Sequence, residues 1–251
     1  MEIFPEKYYH LYNRSNNREL VFHSPENYFY FLEKYHRYFY AYADTIAYCL
    51  MPTHFHFLVY IKPVINNDKK SDFENDPAVN KMNDAKREFG TLLSSYAKAI
   101  NRQHNRHGSL FQRHTKAIEV DDLSYLLSVT AYIHQNPVRA KLVARQEDWE
   151  FSSYRDYIGL RKGTLPKKEV IYNYIQTPGE YKKYSEELLD SIDRRQRGGL
   201  SGSTKIRRIP THRWEPSLPR TLPLLRWTPP CCCAGKVGSI FFLVCRELEE
   251  V

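Results

Sequence analysis

The sequence predicts an α+β fold: a ferredoxin-like or RRM-like antiparallel sheet with helices packed on one face, followed by a C-terminal extension. Three observations predict it. Short aromatic and β-branched runs alternate with period two, longer segments carry apolar residues at helical spacing, and the two kinds follow the order strand, helix, strand, strand, helix, strand, helix.

Lys7 to Asn13 alternates and is aromatic, which predicts the first strand. Ser24-Pro25-Glu26 supplies an N-cap and a proline at the first helical position, so a helix starts there and runs to Tyr40. Asp44 to Leu50 and Phe55 to Ile61 read as two further strands, joined by a tight turn at Met51-Pro52-Thr53. The polar stretch 63–80, rich in Asn and Asp, reads as a mobile loop. Phe89, Leu92, Leu93, Tyr96 and Ile100 then fall on one face of a basic helix from Asn83 to Asn105, which His107-Gly108 ends. Lys116 to Val120 is a short strand. Asp121-Asp122 opens a helix expected to run to Gln135 and stop before Pro137.

The chain has 251 residues, 42% of them apolar, so a packed core is within reach. Its net charge of +8 favours a polyanionic partner such as nucleic acid or an anionic membrane surface. No apolar run approaches the roughly 20 residues that span a bilayer, so no membrane partner is expected. The first ten residues are already charged and aromatic, unlike a signal peptide. Cys49 is isolated in the body of the chain and the other cysteines cluster near its end, which is no disulfide framework and points to a reducing, cytoplasmic location. Composition shifts after Arg194: Arg194 to Trp214 has seven Lys or Arg and no acidic residue, and scattered prolines and Cys231-Cys232-Cys233 follow. Three regions are therefore expected: a main domain over 1–160, a helical extension over 161–195, and a basic, Pro- and Cys-containing tail over 196–251.

His54-Phe55-His56 carries the sharpest chemical signal. On a strand, residues i and i+2 point to one face, so both imidazoles converge while Phe55 turns to the other side. Imidazole suits divalent metals, although two histidines on a half-exposed strand also arise by chance. A second constellation is Tyr132 and Asn136, at i and i+4 on one helix face. Asn136 brings an amide oxygen, a hard ligand suited to Mg2+ or Mn2+. Taken alone, Tyr132 reads as a core aromatic and Asn136 as a helix cap.

The two blocks together resemble a family. Met51-Pro52-Thr53-His54-Phe55-His56-Phe57-Leu58-Val59 is similar to the M-P-N-H-x-H strand of HUH single-tyrosine transposases, the insertion-sequence and REP-associated tyrosine transposases, with Thr53 where the pattern has Asn. Tyr132-Ile133-His134-Gln135-Asn136-Pro137-Val138-Arg139-Ala140 is similar to the family's Y-I-h-x-N-P-V-[RK]-A element. Tyr9 to Arg14, Gly108 to Gln112 and Trp149 to Tyr154 add to the match, which covers residues 7 to 160. The resemblance implies Tyr132 as the nucleophile, His54, His56 and Asn136 as ligands of Mg2+ or Mn2+, and nicking and rejoining of single-stranded or hairpin DNA through a 5′-phosphotyrosine. Tyr125, one heptad before Tyr132, is the rival nucleophile, but Val129 follows it at i+4. His134 points away from Tyr132 on a helix and reads as structural or DNA-facing.

The stretch Lys81 to Lys116 has eight Lys or Arg against two acidic residues. Arg87, Lys98, Arg102, Arg106 and Arg113, with Arg14 and Arg139, are the candidate phosphate contacts, the alternative being an ordinary solvated helix face. A homodimer is compatible with these features. The competing reading is a catalytically silent hairpin-DNA-binding protein on the same scaffold, for which the histidine pair and Tyr132 would be superfluous. An RRM-type RNA binder would carry a K/R-G-F-G-F strand, which the sequence lacks.

Overall fold

The alternation of β3 organises the molecule. The structure, a computed structural model, describes residues 1–63 and 77–198. In it β1 (Tyr8–Arg14), β2 (Ala43–Met51), β3 (His54–Ile61) and β4 (Lys116–Val120) form one sheet in the order β2-β3-β1-β4, every neighbouring pair antiparallel. Helix α1 (Pro25–Phe39) joins β1 to β2, and α2 (Pro77–Gln103) precedes β4. This β-α-β-β-α-β order is the predicted ferredoxin-like arrangement. After it come α3 (Leu123–Arg139), the one-turn helices α4 (Tyr154–Tyr157) and α5 (Glu169–Tyr172), and α6 (Pro178–Gly198).

One face of the sheet is aromatic. Phe55, Phe57, Val59 and Ile61 of β3, with Tyr9 and Leu11 of β1 and Tyr48 and Leu50 of β2, pack under Phe31, Tyr35 and Phe39 of α1 and Phe89, Leu92 and Tyr96 of α2. Tyr35 stacks on Phe57 at 4.3 Å with its hydroxyl 2.7 Å from Thr45 Oγ1, and the Tyr96 hydroxyl donates to Val21 O at 2.9 Å. These two tyrosines are therefore buried without an orphaned hydroxyl, and each such burial stabilises by roughly 2–3 kcal/mol.

Helices cover both faces, not one. The α3 helix lies on the face opposite α1 and α2, since its Tyr132 meets His10 and His56 while Phe89 of α2 meets Phe55. The expected stop before Pro137 is also corrected: α3 continues through Pro137 to Arg139. Pro137 has no N–H for the carbonyl of Ile133, and the side-chain amide of Asn136 donates to that carbonyl at 3.3 Å. The helix therefore keeps a partner where proline removes one. Likewise α2 begins at Pro77, inside the stretch read as loop. Residues 64–76 of that stretch and the tail from 199 onward lie outside the described residues.

The segment after α3 returns to β2 and closes the sheet's outer edge. Leu50 N donates to Phe151 O (2.8 Å), Ser153 N to Tyr48 O (3.0 Å) and Lys167 N to Thr45 O (2.7 Å). A buried ion pair fastens this strap. Arg161 Nη2 sits 2.6 Å from Asp156 Oδ2 and also donates to Ser152 O and to the Tyr48 hydroxyl. Gly163 N donates to Asp156 Oδ1 at 2.9 Å, so close that a Cβ at Gly163 would lie 2.7 Å from the same oxygen. Helix α6 is tied in through His134 of α3, whose Nδ1 lies 2.6 Å from the Tyr181 hydroxyl and whose Nε2 lies 2.7 Å from Ser153 Oγ. His134 is fully buried. It is a structural histidine, not a DNA-facing one. Bonds of this kind cross the boundary expected near residue 160, joining Arg161 and Tyr181 to the preceding chain.

Candidate active site

The face covered by α3 carries the histidines. Strand register sets their neighbours: His56 pairs with Tyr12 of β1 and Cys49 of β2, and His54 pairs with Arg14 and Met51. Directly opposed residues share a face, and i+2 alternation adds His10 beside Tyr12. His10, missed as a site residue in the sequence, is the closest partner of His56: its Nε2 lies 2.9 Å from His56 Nδ1 and the rings stack at 5.1 Å. Both rings are buried. His54 meets His56 edge-on at 5.1 Å, and its Nδ1 lies 3.1 Å from Thr53 Oγ1. The threonine that departs from the family pattern thus supports the first histidine.

Burial disfavours the imidazolium form throughout this cluster. It pulls His10 down to about 3. Burial and then the nearby Arg14 charge pull His54 down to about 4. Burial, with His10 and His54 adjacent, holds His56 well below the usual histidine range. All three are neutral near pH 7, the form in which an imidazole nitrogen can ligate a metal.

Tyr132 reaches this cluster from α3. Its ring centroid lies 6.0 Å from that of His56 and 6.2 Å from that of His10, edge-on in both cases. The Arg139 guanidinium lies 5.5 Å from the Tyr132 centroid, and Arg139 Nη1 is buried without a hydrogen-bond partner. Burial raises the Tyr132 pKa above that of an ordinary phenol, and the Arg139 charge opposes the rise. Tyr132 is thus half-buried, with the Arg139 guanidinium and the rings of His10 and His56 around it.

The residues present fit a divalent cation in donor chemistry. Among the described residues no three His, Cys, Asp or Glu side chains are grouped to hold an ion. A metal on the histidine pair therefore needs a ligand of another kind. Asn136 carries an oxygen of that kind: its amide nitrogen donates to Tyr132 O (3.0 Å) and Ile133 O (3.3 Å), so Oδ1 is the atom it would offer.

The candidate phosphate contacts divide between the two faces. Arg14 is exposed on the histidine face opposite His54, and Arg139 is half-buried there. Lys116, passed over in the sequence, pairs with Tyr12 and so continues the row Cys49–His56–Tyr12–Lys116 across the sheet. It is exposed, and neither Lys116 nor Arg14 forms an ion pair among the described residues. Arg87, Lys98 and Arg102 lie on α2, which covers the aromatic face. Arg87 is engaged by Asp84 (3.0 Å) and Glu88 (3.3 Å). Arg106 is ion-paired with Glu19 and also bonded to Asn101. Arg113 is exposed in the turn leading to β4. Composition along the chain could not separate these groups, because only register assigns them to a face.

No family model matches this chain, and no curated protein matches it. Among solved structures it is similar to a REP-associated tyrosine transposase bound to a REP hairpin, at 15% identity and a TM-score of 0.41, over 63% of this chain and 82% of that one.

Proposed function

We propose that this chain is a metal-dependent nuclease-ligase of the HUH single-tyrosine kind, acting on single-stranded or hairpin DNA with Tyr132 as nucleophile. The observation that carries the reading is the meeting of Tyr132 with His56 across α3 and β3, two segments whose motifs separately resemble that family. DNA binding alone needs neither a histidine pair nor a tyrosine beside it.

The chemistry balances as a transesterification. Tyr132 Oη bonds to the scissile phosphorus as the P–O3′ bond breaks, the phenolic proton leaves to solvent or a base, and the departing 3′ oxygen takes up a proton. The strand then ends in a 3′-hydroxyl and a 5′-phosphotyrosine, and the reverse attack by a hydroxyl rejoins it without ATP. A bound Mg2+ or Mn2+ would supply Lewis-acid neutralisation of the phosphate charge, with His54, His56 and Asn136 to hold it. The protein's own contribution is placement. The α3 helix holds Tyr132 against the histidine face, and the Arg139 charge opposes the cost of ionising the phenol.

The strand path that suits this geometry lies on the histidine face. Lys116 ends the His56 row there, Arg14 stands opposite His54, and neither has an acidic partner among the described residues, whereas the α2 cations stand behind the sheet. The test is incubation of end-labelled hairpin DNA with the full chain, with and without Mn2+, followed by denaturing gels. A metal-dependent nick with a protein-linked 5′ product supports the reading. Binding with no covalent product under any divalent ion would leave the silent DNA-binding alternative.

A further inference from the structure

His10 has no role in the reaction just described, yet it is the group most intimately bonded to the histidine pair. We infer that His10 is a positioning residue that fixes the tautomer of His56 and so presents His56 Nε2 to a cation; this inference rests on the proposed metal site.

A neutral imidazole has one N–H and one lone pair, so the bond made by one nitrogen decides what the other can do. His56 Nδ1 lies 2.9 Å from His10 Nε2. If His56 is to ligate through Nε2, its proton must sit on Nδ1 and His10 Nε2 must accept it. His10 then carries its own proton on Nδ1. Among the described residues that Nδ1 is buried with no hydrogen-bond partner, so this tautomer carries a desolvation cost that cation binding at His56 has to offset. Among the described residues the one hydrogen bond of the His10 ring is with His56. Its ring lies nearly coplanar with that of His56, the planes 26° apart and the centroids 5.1 Å apart, and Tyr12 packs against it at 5.0 Å. The ring is 2% exposed, so water does not substitute readily as acceptor. Outer partners of metal-bound histidines are commonly carboxylates or backbone carbonyls. Here a second imidazole occupies that place, which keeps the pair electrically neutral and so preserves the net charge of the ion at the phosphate.

The arrangement predicts a graded response to substitution. His10→Gln retains an acceptor oxygen near the same point. His10→Phe keeps a ring of similar shape in the pocket and removes the acceptor. Mn2+ binding to the wild-type chain and both variants, measured by isothermal titration, is expected to weaken by about 10- to 100-fold in His10→Phe and to recover most of that loss in His10→Gln. In parallel, 15N side-chain spectra of the Mg2+-saturated wild-type protein are expected to show His56 protonated at Nδ1 and His10 protonated at Nδ1. Circular dichroism and thermal melts establish that the variants are folded. Unchanged Mn2+ affinity in a folded His10→Phe variant would overturn the role of His10 while leaving the metal site standing, as would a His56 protonated at Nε2 in the saturated protein. Failure of the wild-type chain to bind Mn2+ at all would instead remove the metal site and this role with it.

Discussion

The rings of Tyr132 and His56 lie edge-on with their centroids 6.0 Å apart, one carried by a helix and the other by the strand beneath it. The proposed reaction depends on that approach. Tyr132→Phe deletes only the hydroxyl and keeps the packing, so covalent DNA adduct should vanish while hairpin affinity changes by less than about threefold. An adduct that persists in Tyr132→Phe would move the nucleophile to another residue, and Tyr125 would be tested next by the same substitution.

The two sets of cations make different claims on salt dependence. Each phosphate contact on a single strand contributes about 0.7 to the slope of log affinity against log salt. Lys116→Gln and Arg14→Gln should each lower the slope by about that amount, and Lys98→Gln and Arg102→Gln should leave it unchanged. Binding isotherms at several salt concentrations decide the matter. A slope that falls only with the α2 substitutions would put the strand on the aromatic-face side.

His134 predicts a pH dependence of stability. Its pKa is lowered to about 3 in the fold, by burial first and the Arg161 charge second, against an unfolded value of about 6.5. Between those values the unfolded chain binds more protons than the folded one. Stability is therefore full above pH 6.5 and falls as pH drops toward 3. Moving from pH 7 to pH 5 should cost up to about 2 kcal/mol through this group. Urea unfolding at the two pH values measures it. In Tyr181→Phe, which strips the partner of His134 Nδ1, stability at pH 7 should itself fall by about 1–3 kcal/mol.

Asp156 is 1% exposed, and the Arg161 guanidinium that neutralises it is only partly so. Arg161→Met leaves a buried carboxylate without its counter-charge and should destabilise the fold by about 3 kcal/mol. Replacing both, as Asp156→Asn with Arg161→Met, should recover part of the loss. A single variant as stable as the wild type would show that the strap contributes little.

Much of this arrangement was legible in the chain because it is periodic. His54 and His56 on one face of β3, with Phe55 on the other, follow from alternation alone, and the pairing of Tyr132 with Asn136 from helix geometry. What was not legible depended on long-range register. His10 stands next to His56 because β1 lies against β3, and no local pattern in Tyr9-His10-Leu11 distinguishes a site histidine from a core one. Lys116 was hidden for the same reason. Pro137 misled through a correct local rule, since its missing donor is offset by the side chain of the residue before it.

The strap that closes β2 also determines how this sheet can grow. Main-chain groups on the outer side of β2 are already engaged by Phe151, Ser153 and Lys167, while among the described residues no chain pairs with the outer side of β4. Any strand added from another molecule, in aggregation or in assembly, has a single border to join, and that border begins at Lys116. The exposed charges of Lys116 and Glu119 guard it. A nucleic acid bound across Lys116 would guard it further, so the protein should be least prone to self-association while loaded.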